Sequence, residues 1–382
     1  MQIVTRCNRH NAFQAFAVCR GKPSLPYNRG MNHLDILIPF ALPPAELAAD
    51  LIRELKAPSL ALLIARSKAT TIDCGEQIRE LLPHEAWLSR QLGLADGDRS
   101  DISNSPQVAI AAMQSFGVGQ NDGYWFVLNP VHIHIARDHL VLTDQRQLHL
   151  SDEQSRELFD IAQPLFQESG KSLVFGNSSN WFMRADDWRE LRTCTPDAAC
   201  GHNIDLWMPK GKNEREWRKL QNEVQMHWHG HAINEERESR GMKPVNSIWL
   251  WGGASAARDS AKHQHAACFN AGGWMDAFGM LSGTRIHHQS VSKVIAAPGE
   301  RGLLCLDTLI EPVLAHDWSN WLQRMQEYDA DWFAPLHEAL KSGKIGTISI
   351  IASRHAKMAI YNISRHSLRK FWVKSSLMPL CS

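Results

Sequence analysis

No sign of charge dominates this chain: 41 basic residues stand against 40 acidic ones in a total of 382. A balance so even supplies no electrostatic footprint for nucleic acid or for an anionic membrane. Apolar runs of the length a membrane-spanning helix needs are also missing. A soluble, cytoplasmic protein is therefore expected, without nucleic-acid or membrane partners. The cysteines (Cys7, Cys19, Cys74, Cys194, Cys200, Cys268, Cys305 and Cys381) form no CxxC pair and share no spacing. That excludes a disulfide framework in a chain this long and favours reduced thiols. Absent too are a GxSxG elbow, a Walker loop, the full dinucleotide fingerprint and any internal repeat, so hydrolase and nucleotidase assignments lack support. Tyrosine is scarce, four against fourteen tryptophans, which predicts bulky indoles packed into several elements but selects no function.

What is present suits a globular chain. Hydrophobic residues make up 44% and charged ones 21%, which excludes wholesale disorder. The length allows two domains, or one α/β domain carrying an insertion. The first thirty residues hold Arg6, Arg9, Arg20, Lys22 and Arg29 without an acidic residue or a signal-peptide core. They read as a disordered or non-native extension ahead of Met31. Apolar runs at 34–38 and 60–65 read as strands flanking a helix at 45–55 that opens after Pro43-Pro44, a β-α-β start. A polar loop at 96–105 and a helix at 106–115 follow. Strands are expected at 124–128, 131–135, 139–143 and 171–175. Ser151 and Gln154 form a capping-box pattern for a helix that Pro164 should kink or break. Trp217, Leu220, Val224 and Trp228 recur at helical spacing up to Gly230, and Asn234 is placed to cap a short second helix ending near Gly241. A Trp-rich strand at 247–251 runs into Gly252-Gly253. Strands at 302–307 and 347–351 enclose a helical region at 318–340.

Histidines recur in groups: His132/His134, His227/His229/His231, His263/His265 and His287/His288. Imidazole is the commonest metal ligand, yet the 227–231 set lies on a predicted helix, where only His227 and His231 share a face, and no metal motif is complete. Asp307 closes an apolar strand, where α/β proteins place catalytic or metal-binding groups; the plainer alternative, favoured here, is a cap for a helix beginning at Thr308. Gly252-Gly253 could bring backbone amides to an anion, with Ser255 and Ser260 nearby as loop residues. Arg237 suits bidentate contact with phosphate or carboxylate, or pairs with Glu235 or Glu238 in solvent. The sharper expectation is that Asn234, Arg237, Asn246 and the Gly252 loop converge on an anionic small molecule.

The order Glu223-x-Gln225-Met226, His229-x-His231-x-x-Asn234-x-x-Arg237-x-x-x-Gly241, then Asn246-Ser247-x-Trp249-Leu250-Trp251-Gly252-Gly253, resembles the bacterial regulatory protein RpfE family. Asn129-Pro130-Val131-His132, the 303–307 strand and Trp332-Phe333-Ala334-Pro335 extend the resemblance over nearly all of 31–372. Ala232 stands where a proline is usual and Ala254 where a third glycine is usual. The central segment is also similar to archaeal-type cofactor-independent phosphoglycerate mutases, with their His-x-x-Asn-x-x-Arg … Asn … Trp-Gly pattern.

That similarity implies an α/β, alkaline-phosphatase-like sheet with helices on both faces and an inserted smaller α+β domain. The expected division is 1–30 as extension, 31–120 as the first part of the α/β domain, 121–245 as the insert and 246–382 as the remainder. Mutase chemistry implies an Asp-Gly after the first strand, a Ser or Thr nucleophile and Asp/His clusters holding two metals. Here the first strand runs into Pro39-Phe40-Ala41, no Gly-Asp-His cluster follows, and His316-Asp317 is a poor substitute. The expectation is a non-catalytic, regulatory relative binding a small anionic or phosphorylated metabolite, with no cofactor or metal. Its ligand candidates are His229, His231, Asn234, Arg237, Asn246, Gly252 and Asp307. The alternatives are a rearranged enzyme, using a divalent metal with His229, His231 and Asp307, and an interaction module with tryptophan-rich surfaces for an unknown protein partner.

Overall fold

The computed structural model describes residues 31–74, 80–94, 104–118, 122–255, 265–270, 285–286 and 289–381. The expected N-terminal extension, most of the 96–105 loop, and Ser260, His263, His287 and His288 lie outside the described residues. Thirteen strands are described: β1 (His33–Ile38), β2 (Lys68–Asp73), β3 (Tyr124–Val131), β4 (Ile133–Ala136), β5 (His139–Leu142), β6 (Ser172–Phe175), β7 (Trp181–Arg184), β8 (Ser247–Ser255), β9 (Ala267–Phe269), β10 (Arg285–Ile286), β11 (Arg301–Cys305), β12 (Thr347–Arg354) and β13 (Lys357–Ser364).

Seven strands form the principal sheet in the order β10-β9-β11-β1-β12-β13-β2. The pairs from β10 to β12 are parallel, whereas β13 is antiparallel to both of its neighbours. Successive side chains of a strand point to opposite faces, so unbroken burial means that both faces are covered. Leu34 to Ile38, Gly302 to Cys305 and Ile348 to Ser353 are buried without a break. Edge strand β2 is exposed along its whole length; its Lys68, Thr70 and Thr71 suit an edge that must not recruit another chain.

A buried carboxylate sits inside this sheet. The Asp35 carboxylate accepts from His33 Nε2 at 2.9 Å, His265 Nε2 at 2.8 Å and Arg301 Nε at 2.6 Å. Burial raises the carboxyl pKa, but hydrogen bonds from His265, His33 and Arg301 outweigh it and hold the group well below the usual carboxylate range.

A four-stranded antiparallel sheet, β6-β7-β3-β8, forms the smaller layer, and β4-β5 is a separate hairpin. The helices Asp152–Glu168 and Glu214–Trp228 pack on it. Trp181 meets Phe159 and Trp228 edge-to-face at 5.3 and 5.8 Å, and the predicted stripe Trp217, Leu220, Val224, Trp228 is buried. The Trp-rich strand belongs here: β8 pairs with β3. It is not a strand of the parallel sheet leading into its ligand crevice. Strand β3 continues through Asn129-Pro130, where a break was expected, with Pro130 opposite Ile248.

Three local expectations change. Residues 58–65 form a helix, Pro58–Ala65, with Pro at its start. Its first amides are capped from far along the chain, Leu60 N donating to Asp329 Oδ1 at 2.7 Å; a short apolar run does not by itself distinguish strand from buried helix. Asp329 opens the π-turn Asp329–Phe333 between the helices Trp318–Tyr328 and Ala334–Ser342, so the helical region expected there is continuous and contains a π-turn. The Asp152–Glu168 helix runs through Pro164 unbroken. Ser151 Oγ caps it by accepting from Gln154 N at 3.2 Å, while Gln154 Oε1 accepts from Arg237 instead of closing the capping box.

Replacing Asp35 by Asn is expected to cost about 3 kcal/mol at neutral pH, because it removes the buried charge on which three donors converge. A carboxyl with a depressed folded pKa contributes stability above its unfolded value, and that contribution disappears as pH falls through the folded one. The gap between D35N and wild type in urea unfolding should therefore be widest at neutral pH and close in acid; a gap independent of pH would refute this role.

Candidate functional site

Open α/β sheets bind ligands outside the carboxyl ends of their parallel strands. Here the turn after β1, the segment after β11 and the tip between β12 and β13 meet loops of the smaller layer. The turn after β1 is locked in an unusual shape. Phe40 adopts φ +58°, left-handed backbone that a bulky side chain rarely occupies. Its N–H donates to Ser353 Oγ at 3.3 Å and its carbonyl accepts from Trp321 Nε1 at 2.9 Å. Ser353 Oγ also lies 3.0 Å from His84 Nδ1. Non-glycine residues persist in such a conformation where the surroundings over-determine it.

The Phe40 ring packs against His84 at 5.4 Å and His355 at 5.1 Å between centroids. It forms one wall of a cavity of about 420 Å³, lined also by His202, His316, Trp318 and Arg354. His202 and His355 meet edge-to-face at 5.8 Å. Burial, then the neighbouring His202 and His316, pushes His355 down to about 4. Burial and His316 lower His202 as well, and the enclosed His84 is pushed down to about 3 by burial, His355 and Arg146. The side-chain nitrogens of His202, His316 and His355 have no hydrogen-bond partner among the described residues, and the Arg354 guanidinium reaches the Pro43 carbonyl at 3.4 Å. Imidazole nitrogens and a guanidinium thus border a cavity whose wall also includes Glu46 and several apolar side chains.

A second cavity of about 530 Å³ shares none of these lining residues. Its walls include Glu85, Gln145, Arg146, Asp197, Trp251 and Asp307. Arg146 forks onto Asp197 at 2.9 and 2.7 Å and reaches Asp144 at 2.7 Å. Burial raises the Asp197 pKa against the pull of Arg146. Glu85 Oε2 accepts from Leu82 N at 2.7 Å and Thr195 Oγ1 at 2.8 Å. Burial, reinforced by Asp197, pushes Glu85 up to about 8.

Of the residues expected from sequence, Asp307 and the neighbour of Gly252, Trp251, line this second cavity; His229, His231, Asn234, Arg237 and Asn246 line neither. Asp307 lies two residues ahead of Leu309, the cap position of the helix Ile310–Leu314, so it does not open a helix at Thr308 as favoured above. His229 is exposed at the end of the Glu214–Trp228 helix. His231, not Asn234, is the cap of Ala232–Ser239, accepting from Ile233 N at 3.4 Å. Asn234 is buried; it donates to the Trp228 and Val245 carbonyls at 3.0 and 2.9 Å and accepts from Val245 N at 2.8 Å. Arg237 is fully buried, donating to Lys243 O, Gln154 Oε1 and Leu148 O at 2.9, 2.8 and 2.5 Å. Asn246 mimics a strand partner, exchanging 2.8 Å bonds with the Ile133 N–H and carbonyl. Gly252 has φ +72°, and a Cβ there would meet Val108 at 2.9 Å; its N–H donates to Ser105 Oγ. His132 and His134 share a face, stacked at 5.8 Å.

Sequence reasoning missed Glu85, Arg146, Asp197, His202, Arg354 and His355. They lie on four stretches far apart in the chain, around 85, 146, 197–202 and 354–355, with no motif spacing, so nothing local marks them. The Asp-Gly that mutase chemistry implies after the first strand is not present in the sequence; Pro39-Phe40-Ala41 follows β1. Among the described residues, no group of three His, Cys, Asp or Glu side chains could hold a metal ion. The described cysteines are free thiols, and no described helix is long and apolar enough to cross a membrane.

Comparison with known proteins places the chain. No protein-family model matches it. A probable 2,3-bisphosphoglycerate-independent phosphoglycerate mutase of Geobacter sulfurreducens is 28% identical over 143 residues, 36% of this chain and 35% of that protein. A 2,3-bisphosphoglycerate-independent phosphoglycerate mutase of Methanosarcina mazei is 28% identical over 131 residues, 33% and 32% of the two chains. The match thus spans about a third of these relatives' length. Among solved structures, the PH0037 protein of Pyrococcus horikoshii superposes with a TM-score of 0.52 at 12% identity, covering 88% of each chain. At that identity the likeness bears on fold alone, and with the sheet order it bears out the α/β, alkaline-phosphatase-like class expected from sequence.

Asn234→Ala removes three buried hydrogen bonds and leaves a buried amide unpaired, so a loss of about 3 kcal/mol is expected in denaturant unfolding. Arg237→Met should be comparably destabilising. Variants that keep full stability would show that these residues do not hold the fold together.

Proposed function

We propose that this chain is a small-molecule-binding relative of the phosphoglycerate mutases that does not carry out their two-metal phosphoryl transfer. Its ligand is a compact anion held in the cavity beside Phe40. The observation that carries this reading is the replacement at the end of β1. Where metal-assisted chemistry needs an acid, Phe40 packs against His355, and the cavity beyond it is bordered by His202, His316 and Arg354. The imidazoles can donate N–H groups to a carboxylate or phosphate, and Arg354 can supply a charge-assisted fork. Apolar walls from Leu42, Val313 and Trp318 favour a ligand with an apolar body over a free inorganic ion. The resemblance to the RpfE family gives such binding a regulatory role in a bacterial cytoplasm.

Purified protein with manganese or magnesium and 3-phosphoglycerate is expected to show no mutase turnover. Small aromatic and aliphatic carboxylates should raise its melting temperature, and Arg354→Met should weaken their binding about tenfold or more, the loss of one charge-assisted contact. Metal-dependent turnover would overturn the non-catalytic assignment. Binding indifferent to R354M would overturn the location.

A further inference from the structure

We propose that a basic face tipped by two aromatic rings docks this protein onto an anionic lipid surface. The face lies at one end of the principal sheet. Strand β12 runs up to the tip beside the Phe40 cavity, and β13 returns antiparallel to it as far as Ser364, so the residues that follow stand at the opposite end. There Phe371 and Trp372 are 83% and 69% exposed, with their rings packed edge-to-face at 5.1 Å. Isolated exposed apolar residues need no explanation, but two joined rings held out of the core do. Their exposure is built in, because the backbone around them is tied down. Arg66 Nη1 donates to Leu368 O at 2.8 Å, Lys370 Nζ donates to Arg66 O at 3.3 Å, and Ser376 N donates to Ala61 O at 3.3 Å.

The charge around the rings is of one sign. Residues 339–382 hold eight Lys and Arg and no acidic residue, so the other 338 residues carry 33 basic against all 40 acidic ones. The even balance of the whole chain conceals this asymmetry. Arg365, Arg369 and Lys374 flank the rings and are exposed. Arg365 also reaches the exposed Gly343-Lys344 turn, where a Cβ on Gly343 would meet its Nη1 at 3.4 Å. The acid nearest in sequence, Glu338, faces His337 and Lys341 instead. Lys and Arg near an anionic bilayer each strengthen binding about fivefold, and Trp seats at the boundary between headgroups and acyl chains. A protein partner would need a preformed pocket for two protruding rings, whereas a bilayer admits them without one. Single-stranded nucleic acid stacks its bases on open ring faces, but here the edge of one ring meets the face of the other. A second copy of the chain would set these positive charges against themselves.

This surface goes beyond the anion cavity and does not depend on it. The full chain is sedimented with vesicles of phosphatidylcholine alone, and with vesicles in which phosphatidylglycerol replaces about a third of that lipid. Binding is expected to the anionic vesicles, about tenfold or more tighter than to the neutral ones, and should weaken as salt is added. Combining Arg365→Gln, Arg369→Gln and Lys374→Gln should weaken it on the order of a hundredfold. Phe371→Ser with Trp372→Ser should weaken it about tenfold or more. All five side chains are exposed, so both variants should keep the wild-type melting temperature and the carboxylate binding beside Phe40. Arg354→Met should leave vesicle binding unchanged. Absent binding, or equal binding to the two kinds of vesicle, overturns the proposal. So does anionic-vesicle binding that both variants retain. A single-stranded oligonucleotide or polyglutamate that binds more tightly than the vesicles, and is lost in the same variants, overturns it as well.

Discussion

Two indole N–H groups on one strand hold the crevice in shape. Trp249 Nε1 donates to the Cys194 carbonyl at 2.9 Å, and Trp251 Nε1 donates to Asn129 Oδ1 at 2.5 Å. Asn129 in turn donates to Ser179 O and Asn180 Oδ1 at 2.6 and 3.1 Å. A buried indole left without an acceptor carries a penalty, so these bonds act as constraints as well as contacts. Through them strand β8 positions the 176–180 turn and the segment leading to Asp197 and His202, both of which line cavities. Had β8 joined the parallel sheet, neither loop would have this anchor.

The opposite wall depends on Phe40. Its left-handed backbone is held at both ends, by Ser353 and by Trp321. The result is an aromatic ring fixed in the turn after β1, against His84 and His355. Around it His84, His202 and His355 have lowered pKa values because they are enclosed and face other imidazole or cationic groups. The neighbouring acid-lined cavity follows the mirror rule, with burial keeping Glu85 protonated. Two adjoining cavities are thus tuned by the same physical term, desolvation, acting on groups of opposite ionisation.

Much of the secondary structure was legible because it follows local periodicity. The Trp217–Trp228 stripe, the apolar run of β1 and the glycine stops at Gly230 and Gly241 are read from spacing alone. Elements whose signals are distant were misread. Pro58–Ala65 is a helix because Asp329 caps it across 269 residues of chain, and β2 is an exposed polar edge with no apolar run to reveal it. Asn234, Arg237 and Asn246 have the residue types of ligand contacts, but each is engaged in hydrogen bonds within the fold, Asn234 and Asn246 to backbone groups and Arg237 to two carbonyls and the Gln154 side chain. They hold the helix–strand junction that the sequence pattern describes.

Local chemistry alone therefore determined the helix stripes, the apolar run of β1 and the absence of an acid directly after it. Each of these depends on neighbouring residues or on composition. Tertiary structure decided which sheet β8 joins, which polar residues are satisfied and which face a cavity. Those outcomes depend on contacts between segments up to three hundred residues apart, and no spacing in the chain encodes them.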